Sequence, residues 1–257
     1  MSLTDLISVS IDWVLILSVP LTLSAGAVAW LLPYGRRARC CFSGLLLLFA
    51  LALVRIVLFH IGYAAERPTV FFWPLWYTLS FGVLLFYGVK MRLFPGYRMR
   101  LTDLKHFFLP LLQAVFFLGI FCFTDRSYQL GLLHNFIPTW YKPIEGTLFI
   151  LLFFSYLAMA YRYLKFKQAV LRRHGREAEA QTYDRLRRSI KVLFFLGGVN
   201  TSYLLSDFFA WQFLGLNLYT VKGFASLNDL SFAAMSLWVG WFVWREYGAA
   251  KAVARTG

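Results

Sequence analysis

Residues 41–63 read CFSGLLLLFALALVRIVLFHIGY, and this stretch decides the fold. Its 23 residues hold one arginine, Arg55, and one histidine, His60, among side chains that are nearly all apolar. A helix of about 20 mostly apolar residues crosses the roughly 30 Å hydrocarbon core of a bilayer. The stretch therefore predicts a transmembrane helix, and a charge inside it marks the first position to consider for function.

Six further stretches share this length and character. They are Ile11–Leu32, Val70–Tyr87, Leu104–Phe123, Tyr141–Tyr163, Ile190–Phe213 and Phe224–Trp244. Of the 257 residues, 60% are hydrophobic and 19% are aromatic, which is more apolar surface than a soluble domain of this size can bury. The runs are continuous and too long for the alternating strands of a membrane barrel. The sequence predicts one all-α domain over residues 1–257, a polytopic bundle of seven transmembrane helices.

The loops between these stretches alternate in charge. Twenty-one Lys and Arg residues fall on one side of the predicted membrane and four on the other, and Arg55 lies within the second stretch. Short loops rich in Lys and Arg stay in the cytoplasm. The pattern predicts an N-terminus outside and a cytoplasmic C-terminus, as in a bacterial inner-membrane protein.

The net charge of +14 follows largely from this topology and from attraction to anionic lipids. We expect membrane lipids as partners and no direct contact with nucleic acid. A second membrane or cytoplasmic protein is also expected. Six arginines between the fifth and sixth stretches form the expected partner or anionic-lipid surface: Arg172, Arg173, Arg176, Arg185, Arg187 and Arg188.

Polar residues inside the predicted helices form the candidate ligand site. They are Arg55, His60, Glu145, Asn200, Asp207, Asn228 and Asp229, and their estimated depths place them in the outer half of the membrane. A buried guanidinium needs a counter-ion, for which Asp207 is the first candidate and Asp229 the second. Two interpretations remain open, a structural clamp between helices and a pocket for a small polar or lipid-like ligand.

Catalytic motifs do not stand out. The His-Glu-x-x-His and Gly-x-Ser-x-Gly patterns are absent, and the four histidines lie in separate segments. The seventh stretch has no lysine that could hold retinal. We therefore expect no catalytic residue, no metal and no cofactor.

A resemblance to a known family rests on two segments. From the third stretch into the fourth, the chain reads Trp73-Pro74-Leu75-Trp76-Tyr77 and then Phe86-Tyr87-Gly88-Val89. After a basic loop it continues with Leu101-Thr102-Asp103-Leu104-Lys105-His106-Phe107-Phe108-Leu109-Pro110. From about Phe71 to Leu112, this resembles the seven-helix membrane region that precedes AraC-type helix-turn-helix domains in bacterial regulators. Trp73 stands where that family has a glycine. The resemblance implies seven helices with the regulatory side in the cytoplasm.

Only 13 residues, Arg245–Gly257, follow the seventh stretch, so we expect that this chain lacks the DNA-binding domain. Three functions are carried forward. The first is a non-enzymatic membrane sensor or accessory subunit that signals through a partner protein. The alternatives are a small-molecule transporter and a lipid-modifying membrane enzyme that would use His60, Asp207 and Asp229.

Overall fold

The computed structural model describes residues 3–218 and 221–256, and these two ranges contain ten α-helices and no β-strand. The helices are α1 Leu3–Ala29, α2 Arg36–His60, α3 Tyr63–Glu66, α4 Leu79–Leu93, α5 Phe108–Phe123, α6 Arg126–Gly131, α7 Lys142–Arg173, α8 Glu177–Thr182, α9 Asp184–Leu214 and α10 Lys222–Thr256. Two 3₁₀ segments, Pro68–Phe72 and Leu101–Phe107, and a π-helical segment, Leu132–Tyr141, connect them. The side chains of Lys222 and Arg255, which the charge pattern includes, lie outside the described part.

Five helical stretches in the described ranges are long and apolar enough to cross a membrane, which indicates an integral membrane protein. They are Val9–Ala29, Arg36–His60, Leu101–Phe123, Arg126–Arg173 and Glu179–Leu214. The two other predicted crossings correspond to α4 and α10. With 15 residues, α4 is shorter than a bilayer requires, and α10 is long but carries several polar side chains.

Six long helices form a closed ring. In the order α1, α2, α4, α7, α9 and α10, each packs against the next, and α10 returns to α1. Because α2 also contacts α10, it lies towards the middle of the ring. The largest fully buried side chains are aromatic, and Phe49 of α2 stacks on Phe81 of α4 with ring centroids 4.3 Å apart. A ring core of this kind is stabilised by aromatic packing over a large area.

A second, smaller core lies beside the ring. It contains Phe71, Phe72, Phe117, Ile120 and Ile137, and Leu132 and Leu133 pack against it. These residues come from the 3₁₀ segment before α4, from α5 and from the π-helical segment. α5 is thereby held on the outside of the ring through α4 and the 3₁₀ segment.

The third predicted stretch differs from the expectation. Residues 70–78, expected as the start of a helix, form the end of the 3₁₀ segment and an irregular turn, and α4 begins at Leu79. Pro74 cannot donate a backbone hydrogen bond, so a helix through it would lose one. Gln113 of α5 instead accepts the backbone N–H of Leu79 at 3.1 Å, which satisfies one of the free donors at the start of α4.

In the region between the fifth and sixth stretches, the sequence predicts helix over residues 168–186 with Gly175 as a weak point, and the structure breaks the helix there. α7 continues to Arg173, the chain turns at Gly175 with φ +68°, and the short helix α8 follows. A positive φ costs glycine little, whereas a residue with a Cβ is disfavoured there. Gly175 therefore separates α7 from α8.

Two polar links fasten the end of the bundle at which the basic loops lie, here called the basic end. Glu246 of α10 accepts from Arg92 Nη2 of α4 and from the Tyr34 hydroxyl, each at 2.6 Å. Burial raises the pKa of Tyr34, so the phenol stays neutral and donates. The link joins α10 to α4 and to the loop after α1.

Asp103 makes the second link. Its carboxylate accepts from the Tyr97 hydroxyl at 2.6 Å, from the Tyr87 hydroxyl at 3.0 Å and from the Arg100 backbone at 2.8 Å. Burial and the bond to Asp103 raise the pKa of Tyr97 to about 12. The link holds the loop after α4 against the helix itself.

Gly82 gives a test of the contact between α4 and α7. A Cβ at this position would lie 3.1 Å from the Leu152 carbonyl oxygen and 3.1 Å from the Phe153 Cα, both of which are backbone atoms. We expect Gly82→Val to lower the free energy of unfolding in mild detergent by about 1–3 kcal/mol, as overpacking does. Gly119→Val in α5 is the control, because nothing lies within 4 Å of its Cβ position. Equal stability of the two variants would contradict this close approach.

Candidate functional site

The predicted polar residues form two clusters instead of one. Arg55 and Glu145 belong to the first, which lies between α2, the turn before α4, α5 and α7. His60, Asp229, Asn228 and Asn200 belong to the second, which joins α2, α10 and α9. Asp207 binds the loop after α9 and is described after the two clusters.

Arg55 is enclosed by aromatic rings. Its side chain is 8% exposed, and its guanidinium carbon lies 4.2 Å from the Phe71 ring centroid and 4.5 Å from that of Trp76. Phe59 and Phe117 lie at 5.7 and 6.0 Å. A cation over the face of an aromatic ring is attracted by the ring quadrupole, and the attraction strengthens when water is excluded. We call Arg55 and these four rings the Arg55 box.

Glu145, at the start of α7, is the acid that shares a neighbour with Arg55, because Trp76 contacts both. Its Oε1 is already occupied, because it accepts from Trp76 Nε1 at 2.7 Å, from the Thr78 hydroxyl and from Gln113 Nε2 at 3.3 Å. Gln113 Nε2 also donates to the Tyr141 hydroxyl at 3.0 Å. Glu145 therefore balances the charge of Arg55 from a fixed position without an ion-pair contact of 4.0 Å or less.

One guanidinium nitrogen in the Arg55 box has no partner. Arg55 Nη1 is buried and makes no hydrogen bond to any described residue. Arg92 also leaves one buried nitrogen unpaired, but its other nitrogen contacts Glu246 directly at 2.6 Å. A buried donor without an acceptor costs free energy. The arrangement stabilises the charge of Arg55 and leaves a donor available for an anionic acceptor.

The expected pairing of Arg55 with Asp207 or Asp229 is not found. Asp207 Oδ1 accepts the backbone N–H of Leu218 at 2.9 Å and so holds the loop after α9. Asp229 Oδ2 lies 3.3 Å from His60 Nδ1. The sequence estimate considered only the height of each acid along its helix. The side of the bundle that a residue faces depends on the order of the helices in the ring, which heights do not contain.

His60 lies between two carboxylates. Its Nε2 is 3.6 Å from Asp12 of α1 and its Nδ1 is 3.3 Å from Asp229 of α10, and Ser226 Oγ lies 3.3 Å from Nε2. The two acids contact opposite ring nitrogens, so they cannot share one metal ion with His60. Within the described residues, no group of three or more potential metal ligands occurs.

A chain of polar contacts continues from His60 into the bundle. Asn228 Nδ2 donates to Asp229 Oδ1 at 3.5 Å, and Asn200 Nδ2 of α9 donates to Asn228 Oδ1 at 3.2 Å and to Ser231 Oγ at 3.0 Å. Asp12 has a side chain that is 36% exposed, whereas Asn200 is 3% exposed. The second cluster therefore connects α1, α2, α10 and α9 by a polar path from the surface to the interior.

The six arginines of the expected surface differ in their contacts. Arg172, Arg173, Arg185 and Arg188 are exposed. Arg176 pairs with Glu179 at 2.5 Å, and Arg187 pairs with Asp184 at 3.3 Å. Two of the six are thus neutralised locally.

Several site residues were missed from the sequence. Trp76, Thr78, Gln113 and Tyr141 are polar but uncharged, and nothing in their spacing separates them from ordinary interfacial residues. Asp12 is an acid near the start of the first apolar stretch, and nothing in the sequence marks it as a partner of His60. Only the packing of α1 and α10 on α2 places Asp12 and Asp229 beside the same imidazole.

A double-mutant cycle tests the electrostatic link in the first cluster. Glu145→Gln leaves the buried charge of Arg55 uncompensated, whereas combination with Arg55→Leu removes that charge as well. We expect the two substitutions to be coupled by at least about 1 kcal/mol in the free energy of unfolding. Arg55→Leu and Asp207→Asn should add to within about 0.5 kcal/mol. Additivity in the first pair, or strong coupling in the second, would contradict this geometry.

Comparison with models of protein families, with curated proteins and with solved structures found no match to this chain. Its function is therefore argued from the two clusters and from the charge pattern of the loops.

Proposed function

We propose that this chain is a non-enzymatic membrane sensor or accessory subunit that acts through a partner protein. In this proposal it crosses the bacterial inner membrane seven times, with its N-terminus outside and its C-terminus in the cytoplasm. The five apolar helices and the alternating loop charges support this arrangement. The likeness of residues 71–112 to the membrane region of AraC-type regulators is in keeping with a signalling role.

The observation that carries the proposal is the unpaired Nη1 of Arg55 inside its box. Phe71 and Trp76 take up the neighbouring faces of the guanidinium, so an additional acceptor is best placed in the guanidinium plane. Glu145 Oε1 is held by three other donors. An incoming anion would therefore not have to displace an existing ion pair.

The surroundings also define the class of ligand. One carboxylate or phosphate group would pair with Arg55, and the remainder of the ligand would be apolar, because the box and the adjoining small core are aromatic and aliphatic. The nearby charge of Glu145 disfavours a second negative group. The proposed ligand is thus a small amphiphile with a single anionic group.

Binding of this class can be measured with octanoate as the probe. We expect octanoate to raise the midpoint of thermal unfolding of the protein in nanodiscs, as a ligand of the native state does, and octylammonium to leave it unchanged. Arg55→Lys should weaken octanoate binding at least tenfold, since lysine lacks the planar, bidentate donor group of arginine. Glu145→Gln should strengthen binding several-fold by removing a competing negative charge.

Arg67→Lys is the matched control, because Arg67 is an exposed arginine that also lies over an aromatic ring, Tyr63, at 5.5 Å. Equal stabilisation by octanoate and octylammonium would show partitioning into the bilayer and would refute a site at Arg55. Unchanged octanoate affinity in both Arg55→Lys and Glu145→Gln would refute it as well.

The partner is tested separately. Purification from the native membrane in a mild detergent should recover a second protein at constant stoichiometry. Arg172→Gln/Arg173→Gln, at the exposed end of α7, should reduce that stoichiometry, whereas Arg36→Gln/Arg98→Gln removes the same charge elsewhere at the basic end and should not. Recovery of the chain alone under several mild conditions would contradict a role as an accessory subunit.

A further inference from the structure

One stripe of α9 combines cations with an exposed aromatic ring. Asp184, Arg187, Arg188, Lys191 and Phe195 follow one another at intervals of three, one, three and four residues. Residues three and four apart lie on the same face of a helix. The first four residues line a shallow concavity, and Phe195 lies further along the same face.

Two cations of this stripe have no acidic partner. Asp184 Oδ1 contacts Arg187 at 3.3 Å and accepts from Gln168 Nε2 at 3.0 Å, so its charge is already engaged. Arg188 and Lys191 are exposed, and no carboxylate of the described chain lies within 4.0 Å of either. The concavity therefore offers two uncompensated positive charges.

The depth of these cations follows from the adjacent helix. Trp238 of α10 donates its Nε1–H to the Ser189 carbonyl oxygen at 3.2 Å and lies 3.0 Å from Ser189 Oγ, so Ser189 and Trp238 are at the same level. One and two turns towards the basic end, Trp241 and Trp244 are 46% and 45% exposed. Exposed tryptophans on membrane helices mark the headgroup level. Arg188, next to Ser189, lies about 3 Å further into the bundle than Trp241, and Lys191 about 7 Å further. Side chains on a helix point towards its N-terminus, which for α9 is the basic end, so both cations are directed towards the headgroup level.

Phe195 extends from this level into the apolar zone. It is 70% exposed, and at 1.5 Å per residue it lies about 6 Å beyond Lys191 along the helix axis, away from the basic end. The stripe thus presents two long cationic side chains that reach towards the headgroup level and an apolar ring further into the hydrocarbon zone. A phospholipid has the same order of groups, a phosphate followed by acyl chains.

We propose that Arg188 and Lys191 bind the phosphate of an anionic phospholipid in the leaflet at the basic end, with an acyl chain lying against Phe195. The bidentate donor group of arginine and the point charge of lysine both suit a phosphate. The pairing of Arg187 with Asp184 keeps the net charge of the concavity moderate. This site is at the opposite end of the bundle from the Arg55 box and does not depend on the proposed sensor function.

Native mass spectrometry tests this site, with phosphatidylglycerol and phosphatidylcholine of equal acyl chains as probes. Each cation near an anionic lipid surface contributes about fivefold in affinity. We expect Arg188→Gln/Lys191→Gln to lower the affinity for phosphatidylglycerol about thirtyfold and to leave that for phosphatidylcholine within about twofold. Phe195→Ser should weaken both lipids several-fold, because it removes contact with the acyl chain.

Arg36→Gln/Arg98→Gln is the control, because both residues are exposed cations at the basic end. They lie at the start of α2 and after α4, and α9 packs on neither of these helices but on α7 and α10. The control should keep phosphatidylglycerol affinity within about twofold. Equal losses in control and test variants would show a general charge effect and would overturn the proposal. A site for small anions would also overturn the proposal. It would show itself if inorganic phosphate displaced phosphatidylglycerol at a concentration equal to that of the lipid and if Phe195→Ser left the lipid affinity unchanged.

Discussion

Trp76 lies between the buried guanidinium of Arg55 and the half-buried carboxyl group of Glu145, which make no direct contact with each other. Its ring face contacts the guanidinium of Arg55, and its edge N–H donates to Glu145. A charge at this depth is costly unless it is compensated, and here aromatic faces and a fixed carboxylate share that task. The half of the bundle away from the basic end depends on this contact, because it ties α2, the turn before α4 and the start of α7 to one another.

The irregular turn before α4 follows from the same requirement. In a regular helix through residues 70–78, the side chains of Trp76 and Thr78 would point in different directions, because residues two apart do not lie on the same face. In the turn, both side chains donate to the same oxygen of Glu145. Gln113 accepts the backbone N–H of Leu79, which has no partner within α4. Departure from regular helix is tolerated inside a membrane protein where such partners are supplied.

The two ends of the bundle differ in how their polar groups are used. At the basic end, Glu246 and Asp103 are each held by several donors and connect loops to helices. At the opposite end, Arg55 keeps an unpaired donor, and a polar path leads from Asp12 through His60 to Asn200. The first arrangement fixes the structure, whereas the second leaves the buried Nη1 of Arg55 without an acceptor.

Composition and hydrophobic run length alone determined that this protein is helical and has membrane-spanning segments, because a bilayer accepts only long apolar segments whose backbone is bonded internally. Sequence also located Arg55, His60, Glu145 and Asp229, since a charge in an apolar run is visible without a structure. It could not assign their partners. Whether Arg55 faces Glu145 or Asp207 depends on which helices are neighbours in the ring. That order depends on close contacts between helices, such as the approach of α4 to α7 at Gly82, and these contacts form only in the tertiary structure.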